Sequence, residues 1–186
     1  MDSNLRLPMS EPELVARAIQ RDRTAFTALY ERCVDQVYRH VYYRVSSHTD
    51  AEDITQEVFV RAWKAIHKYK STGTPFVAWL TIIAGNLIID HYRRQQKVVM
   101  TNEIPENQPD QQILEPEKQA EVDFTKAIIK KAVLKLKGDK QRVILMHFID
   151  GLSYKEVAKA LNKSEGAIRV IQYRALSDLR RWLKRE

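Results

Sequence analysis

The sequence predicts an all-α fold in which two small helical domains are joined by a flexible acidic linker. Three observations carry that prediction. Apolar residues recur at spacings of three and four toward both ends of the 186-residue chain, and the β-branched alternation of half-buried strands is nearly absent. Periodicity fades between Gln95 and Glu121, where Pro105, Pro109 and Pro116 each remove a helical donor and bias the preceding residue to extended geometry. Charge divides along the same lines: residues 125–186 carry 16 Lys and Arg against 6 Asp and Glu, residues 1–96 carry 13 against 11, and residues 97–124 carry 2 against 7. These place a first domain at 10–96, a linker at 97–121 and a second domain at 122–186.

In the first domain, Leu14, Ala18, Phe26, Leu29, Cys33, Val37 and Val41 define two packed amphipathic helices with a break at "QRDR". The stretch "HTDAEDITQEVFVRAWKAI" follows, with Thr49 or Asp50 expected as its N-cap and Glu52 and Asp53 in its first turn, where acidic groups suit the positive end of the helix dipole. Its inner stripe is Ile54, Val58, Ala62 and Ile66. After the turn "YKSTGTP", Pro75 opens a helix that is apolar almost all round from Phe76 to Ala84 and ends in the polar "DHYRRQQ". Such a helix belongs at the centre of the domain, and Trp79 is read as part of that core.

The second domain falls into four helical pieces: "FTKAIIKKAVLKL", "KQRVILMHFID", "YKEVAKAL" and "SEGAIRVIQYRALSDLRRWL". Ser153 and Glu156 form a capping box for the third piece, and Ser164 caps the fourth, leaving only "LNK" between them. A DNA-binding helix-turn-helix needs a small residue facing the second helix, a turn residue that tolerates positive φ, and an aliphatic that locks the interhelical angle. Ala158, Asn162 and Ile168 meet these demands. At about 100° per residue, Ala167, Ile168, Ile171, Ala175 and Leu179 form the packed face. Arg169, Tyr173 and Arg180 then point the opposite way, with Arg174 at the flank. An Arg in the major groove bridges both acceptors of a guanine, Tyr packs on a thymine methyl or reaches a phosphate, and flanking Lys and Arg hold backbone phosphates. A solvated face on an ordinary helical hairpin would carry similar residues.

Composition restricts the function classes. A formal charge of +7 with the excess at the C-terminal end favours an anionic partner. The single Cys33 leaves no internal disulfide or thiolate cluster and suits a reducing, cytoplasmic interior as a core filler. His40, His48, His67, His91 and His147 are scattered without ligand spacing, and no Gly-rich phosphate loop or nucleophile motif is present, so neither cofactor nor enzymatic chemistry is expected. The start lacks the order of a signal peptide, and "LTIIAGNLII" is about half of a bilayer span, so no membrane insertion is expected.

Three stretches carry a resemblance to a known family. "DAEDITQEVFVRAW", residues 50–63, and "FVAWLTIIAGNLIIDHYRR", residues 76–94, closely resemble bacterial sigma factors of the extracytoplasmic-function (ECF) group, and "GLSYKEVAKALNKSEGAIRVIQYRALSDLRRWL" is similar to that group's promoter-reading domain. The resemblance implies a promoter-specificity subunit acting through binding and strand capture in response to a stress or envelope signal. Its first domain would dock on RNA polymerase core and melt the minus-10 element; its second would read the minus-35 element as duplex. It assigns Asp53, Gln56, Glu57 and Arg61 to the coiled coil of the polymerase β′ subunit. Without the resemblance, the same residues read as a solvated face in which Glu57 and Arg61 form an i,i+4 pair. For the melted minus-10 strand, which calls for a loop pocket with flat side chains and nearby cations, it points to Lys68, Tyr69, Lys70, Ser71, Thr72 and Phe76 around the loop, then Asn86, His91, Arg93 and Arg94. For the minus-35 duplex it points to Lys155, Lys163, Ser164, Glu165, Arg169, Val170, Tyr173 and Arg174. The chain departs from the family at Ile82 and Gly85, where a basic residue is usual, and at Val170, often Ser or Lys. The linker would thread polymerase channels as a mimic of RNA, or simply solubilise. The implied partners are the polymerase β′ and β subunits, promoter DNA and an anti-sigma factor clamping the two domains.

Two other classes stand beside this reading. A stand-alone helix-turn-helix regulator would bind palindromic duplex as a dimer, and a pure protein-interaction module would make the basic surface incidental. The polar ridge of Asp53, Gln56 and Glu57 discriminates, since a DNA-bound dimer has no use for it.

Overall fold

A computed structural model describes residues 9–70, 73–99 and 118–184, and these are helical throughout with short connections. In chain order the helices are α1 (Glu11–Ile19), α2 (Arg23–Tyr42), α3 (His48–Ala65), α4 (Phe76–Val99), α5 (Lys118–Lys135), α6 (Asp139–Ile144), α7 (Tyr154–Leu161) and α8 (Glu165–Leu183). A 3-10 turn, Ile66–Lys68, extends α3, and a π turn, Leu145–Ile149, extends α6.

Local chemistry sets the starts and stops. The Glu13 carboxylate accepts the Ser10 N–H at 2.8 Å and so fixes the entry to α1. Arg21 takes positive φ, 66°, between α1 and α2, and Asp22 caps α2 by accepting the Ala25 N–H at 3.1 Å. That break is the one expected at "QRDR". The start of α3 corrects the expectation of Thr49 or Asp50: Ser47 is the N-cap, with its hydroxyl accepting the Asp50 N–H at 3.0 Å and donating to the Asp50 carboxylate at 2.8 Å. Thr49 and Asp50 already lie inside the first turn, and Asp50, three residues after the cap, completes the reciprocal arrangement. Helix α4 also runs past "DHYRRQQ" to Val99. Its first free N–H, on Phe76, is satisfied from far away by the Glu11 carboxylate at 2.8 Å.

The expected stripes are inside. Leu14 and Ala18 of α1, Leu29, Cys33, Val37 and Val41 of α2, and Ile54, Val58 and Ala62 of α3 pack around the buried face of α4, formed by Phe76, Leu80, Ala84 and Leu87. The central position of α4 follows from its near-continuous apolar surface. Phe26 is an exception; it is half-buried and tilts against Trp63 at 5.0 Å.

The same apolar cluster continues into the C-terminal domain through Val143, Met146, Leu152, Val157, Ala158 and Ile168. The π turn therefore sits against α2, and α7 against α4. A smaller cluster of Leu136, Ile144 and Ala175, flanked by Leu176, Leu179 and Trp182, ties α5 and α6 to the outer half of α8.

Candidate nucleic-acid and polymerase interfaces

The helix-turn-helix forms as the spacing requires. Ser153 accepts the Glu156 N–H at 3.3 Å while the Glu156 carboxylate accepts the Ser153 N–H at 2.7 Å, and Ser164 accepts the Ala167 N–H at 3.2 Å. Asn162 ends α7 at φ 52°, ψ 51°. In that left-handed conformation the Lys163 N–H reaches the Ala158 carbonyl at 2.9 Å and the Asn162 N–H the Lys159 carbonyl at 3.2 Å, which closes the helix C-terminus. Ala158 and Ile168 are sealed at the crossing. Asn is used because its side chain tolerates positive φ better than other non-glycine residues.

On the outer face of α8, Val170 is 50% and Tyr173 75% exposed, and Arg169, Arg174 and Arg180 are also open to solvent. Two of the flanking residues are engaged within the protein: Lys163 pairs with Asp139 at 3.0 Å, and Ser164 is occupied as the cap. Lys155 and Glu165 are exposed. Tyr154, which sequence reasoning passed over, lies beneath the Arg169 guanidinium at 4.1 Å.

A second polar surface lies on α3 and α4. Asp53, Gln56 and Arg61 are exposed and Glu57 is half-exposed, with the Arg61 Nε donating to Glu57 at 2.8 Å. Asp53, Glu57 and Arg61 line a groove with Asp50, Ile54, Leu87, His91 and Arg94. His91 approaches Asp50 at 3.7 Å. The structure thus gathers His91 and Arg94 with the acidic ridge, in a groove separate from the cavity that Asn86 lines. Arg93 is exposed and pairs with Asp90 at 3.3 Å.

The third surface surrounds the loop before α4. Lys68, Tyr69, Lys70, Thr74, Ala78, Trp79 and Ile82 line one cleft, whose far wall is Lys159 and Ala160 of α7. Tyr69 tilts against Trp79 at 5.0 Å and meets Phe76 edge-on at 5.5 Å. Burial and the nearby Glu11 carboxylate push the Tyr69 phenol up from its ordinary range. Phe76 corrects its expected place among the strand-contacting residues. Its ring is fully buried, because the first turn of α4 points inward under Tyr69 and Trp79, so it supports the loop from beneath. Trp79, expected in the core, is half-buried and helps form the cleft. Ser71, Thr72 and most of the linker, residues 100–117, lie outside the described residues.

Asn86 is exposed but faces a separate cavity, lined by His40, Arg44, Thr81, Ile82, Gly85, Ile89, Arg142, Met146 and Leu161. Arg44, also unanticipated, stands where the helix lacks a basic side chain: a Cβ on Gly85 would lie 3.4 Å from its Nη1. Burial, with repulsion from Arg142, draws the Arg44 guanidinium down to about 10. A signal for this residue was present in the spacing of Gln36, His40 and Arg44, polar side chains four apart along α2 and the turn that follows it. Among the described residues no cluster of His, Cys, Asp or Glu is arranged to hold a metal, and no helix is long and apolar enough to cross a membrane.

Comparison with known proteins agrees with this geometry. The family described as Sigma-70 region 2 matches residues 29–98, and that described as Sigma-70, region 4 matches residues 126–179. The ECF RNA polymerase sigma factor BldN of Streptomyces coelicolor is 37% identical over 179 residues, covering 92% of this chain but 65% of that protein, so the chain spans just under two thirds of that relative. The ECF RNA polymerase sigma factor ShbA of Streptomyces griseus is 32% identical over 177 residues, covering 90% of this chain and 92% of that protein. In fold, the chain is similar to CnrH, solved in complex with the cytosolic domain of CnrY, with a TM-score of 0.71 at 24% identity over 95% of this chain and 98% of that one.

Proposed function

The chain belongs to the ECF RNA polymerase sigma factors, and on that premise we propose that it is a promoter-specificity subunit whose three polar surfaces divide the work of initiation. The ridge of Asp53, Gln56 and Glu57, with Arg61 paired to it, docks on the polymerase β′ subunit. The loop cleft of Lys68, Tyr69 and Lys70, together with Asn86, holds unstacked bases of the minus-10 element, with flat side chains supplying stacking and the lysines the phosphate charge. Arg169, Val170, Tyr173 and Arg174 read the minus-35 element in the major groove, and Lys155 and Lys163 hold its backbone. His91 and Arg94 are better assigned to the polymerase side, since they share the groove of the ridge. No step needs a cofactor or covalent chemistry.

The observation that carries this reading is the presence of the exposed polar ridge on α3 in one domain and an exposed cationic and aromatic face on a helix-turn-helix in the other. A stand-alone regulator needs only the latter. Core polymerase and promoter DNA are the partners required; a protein of the anti-sigma class, acting on the junction of the two domains, is the third.

The test is run-off transcription with purified bacterial core polymerase on genomic fragments, with and without the protein. New start sites that depend on the protein are expected. Their absence across a genome, with palindromic duplex bound by the protein alone, supports the stand-alone regulator instead.

A further inference from the structure

Within the second domain lies a cavity of about 470 Å³, a size typical of small-molecule sites. Its wall is formed by the end of α5, the start of α6 and a stripe on α8. Gly138, at φ 58°, turns the chain sharply from α5 into α6, and Lys135, Lys137 and Lys140 reach the wall from either side of that corner. Arg174, Asp178 and Trp182 recur every four residues, so they share one face of α8 over about 12 Å, with the guanidinium toward one end and the indole toward the other. Leu136 and Ile171 supply the apolar part of the wall.

The cavity stays cationic once its internal pairs are considered. Both carboxylates in the wall are already matched: Asp178 accepts from Lys140 at 2.7 Å and from Arg181 at 2.9 Å, and Asp139 lies 3.0 Å from both Arg142 and Lys163. Arg142, Lys163 and Arg181 stand outside the wall, so neither carboxylate draws on Lys137 or Arg174. Those two side chains are exposed and, among the described residues, unpaired. An anion entering here meets both of them with Lys140 alongside.

Cations alone would attract any anion; the indole narrows the choice. Trp182 is half-buried against the cluster of Leu136, Ile144 and Ala175 and still lines the cavity. An aromatic ring beside apolar side chains gives a nucleobase a stacking surface, and the phosphates of the same molecule find their charge further along α8. Duplex DNA keeps its bases paired inside the stack, so it has no base to offer the indole.

We propose that this cavity is a binding site for a free nucleoside polyphosphate, with the base against Trp182 and the phosphates held by Lys137, Lys140 and Arg174. The site goes beyond the promoter-reading role and does not depend on it. Of its residues only Arg174 is shared with the face assigned above to the minus-35 duplex.

The experiment is isothermal titration calorimetry of the full chain at about 0.15 M salt, where weak surface attraction is screened. ATP, GTP, inorganic tripolyphosphate and adenosine are the separate probes. ATP and GTP are expected to saturate a single site, tripolyphosphate to bind about tenfold more weakly for want of a base, and adenosine not to bind measurably. Lys137→Ala, at an exposed position, is expected to weaken ATP and tripolyphosphate alike by about tenfold, the loss of one charge-assisted contact. Trp182→Leu is expected to bring ATP down to the level of tripolyphosphate and to leave tripolyphosphate unchanged. Circular dichroism reports folding, and Lys137→Ala decides the matter should Trp182→Leu unfold. The site is overturned if the folded protein shows no saturable binding of ATP or GTP, or if Lys137→Ala leaves that binding unchanged. Equal affinity for ATP and tripolyphosphate overturns the placing of a base on Trp182, and with it the nucleotide. A short single-stranded DNA of random sequence is titrated in parallel; tighter binding than ATP, with the same loss on Lys137→Ala, gives the cavity to nucleic acid and ends the proposal.

Discussion

The Arg169 guanidinium stands 4.1 Å from the centroid of the Tyr154 ring, and through that contact the first residue of α7 sets the direction of the outward arginine on α8. Tyr154 is itself fixed on both sides: its ring stacks on His147 at 4.4 Å with an interplanar angle of 24°, and its hydroxyl donates to Gln172 at 2.7 Å. A cation over an aromatic face gains about 0.5 to 1 kcal/mol at an exposed site, enough to favour one rotamer of a long side chain over others. Arginine that is already aimed loses less conformational freedom on binding.

On the proposed minus-35 role of Arg169, replacing Tyr154 is expected to change base discrimination without removing a DNA-contacting side chain. Tyr154→Leu is expected to weaken discrimination at the base pair read by Arg169 several-fold, while Tyr154→Phe keeps the ring and most of the effect. Arg169→Ala itself is expected to remove roughly 1 to 3 kcal/mol of discrimination per bidentate contact. Competition binding of holoenzyme to minus-35 variants measures all three. Equal discrimination by Tyr154→Leu and the parent would show that the ring does not orient the arginine.

Asn162 gives a prediction about stability. Its left-handed backbone costs an ordinary L-residue roughly 1 to 2 kcal/mol, less for Asn and nothing for Gly. Asn162→Ala should lower stability by about 1 kcal/mol and the melting temperature by about 2 to 4 °C, whereas Asn162→Gly should be neutral or slightly stabilising. Thermal melts followed by circular dichroism at 222 nm, a helix band, decide it. A harmless Asn162→Ala would mean that the turn relaxes out of positive φ.

The helix-turn-helix was legible because short-range rules govern it. Ser153, Glu156, Asn162 and Ser164 act within a few residues of themselves, so the sequence states their roles directly. The ridge was legible for a similar reason: Asp53, Gln56 and Glu57 fall off an apolar stripe that periodicity alone defines. Phe76 was misplaced because an aromatic next to a polar loop has the same local signature whether it faces out or in; the packing of Tyr69 and Trp79 over it is a tertiary fact. The row of Gln36, His40 and Arg44 shows the same limit. Its partners, Asp150 and Gln141, lie about a hundred residues away, and nothing local in α2 tells a solvated polar face from one that meets a second domain.

The ridge should separate binding from folding. Asp53 and Gln56 are exposed, so Asp53→Ala with Gln56→Ala is expected to shift stability by no more than about 0.5 kcal/mol. The same double variant should weaken association with core polymerase at least tenfold, measured by fluorescence anisotropy of the labelled protein. Arg169→Ala, run beside it, should keep core affinity. Loss of core affinity in both variants would show that the two surfaces do not divide the work.

Cys33 offers a test of the core that needs no partner. Burial is the main cause of its raised thiol, with the Glu11 carboxylate adding to it, and together they push it from 9.0 to about 12. At about pH 8 the thiolate fraction is then roughly 1 in 10,000, against about a tenth for an ordinary thiol of that starting value, so alkylation by iodoacetamide should be about a thousandfold slower in the folded chain than in urea. The sign of the linked stability follows. Because the folded state favours the protonated thiol, its contribution is complete below the unfolded value near 9 and is lost as pH rises toward about 12. The stability gap between the parent and Cys33→Ala, read from urea midpoints, should narrow on going from about pH 8 to about pH 11. A gap that stays constant, or alkylation at the unfolded rate, would place the thiol in contact with water and α2 in a different register against α1.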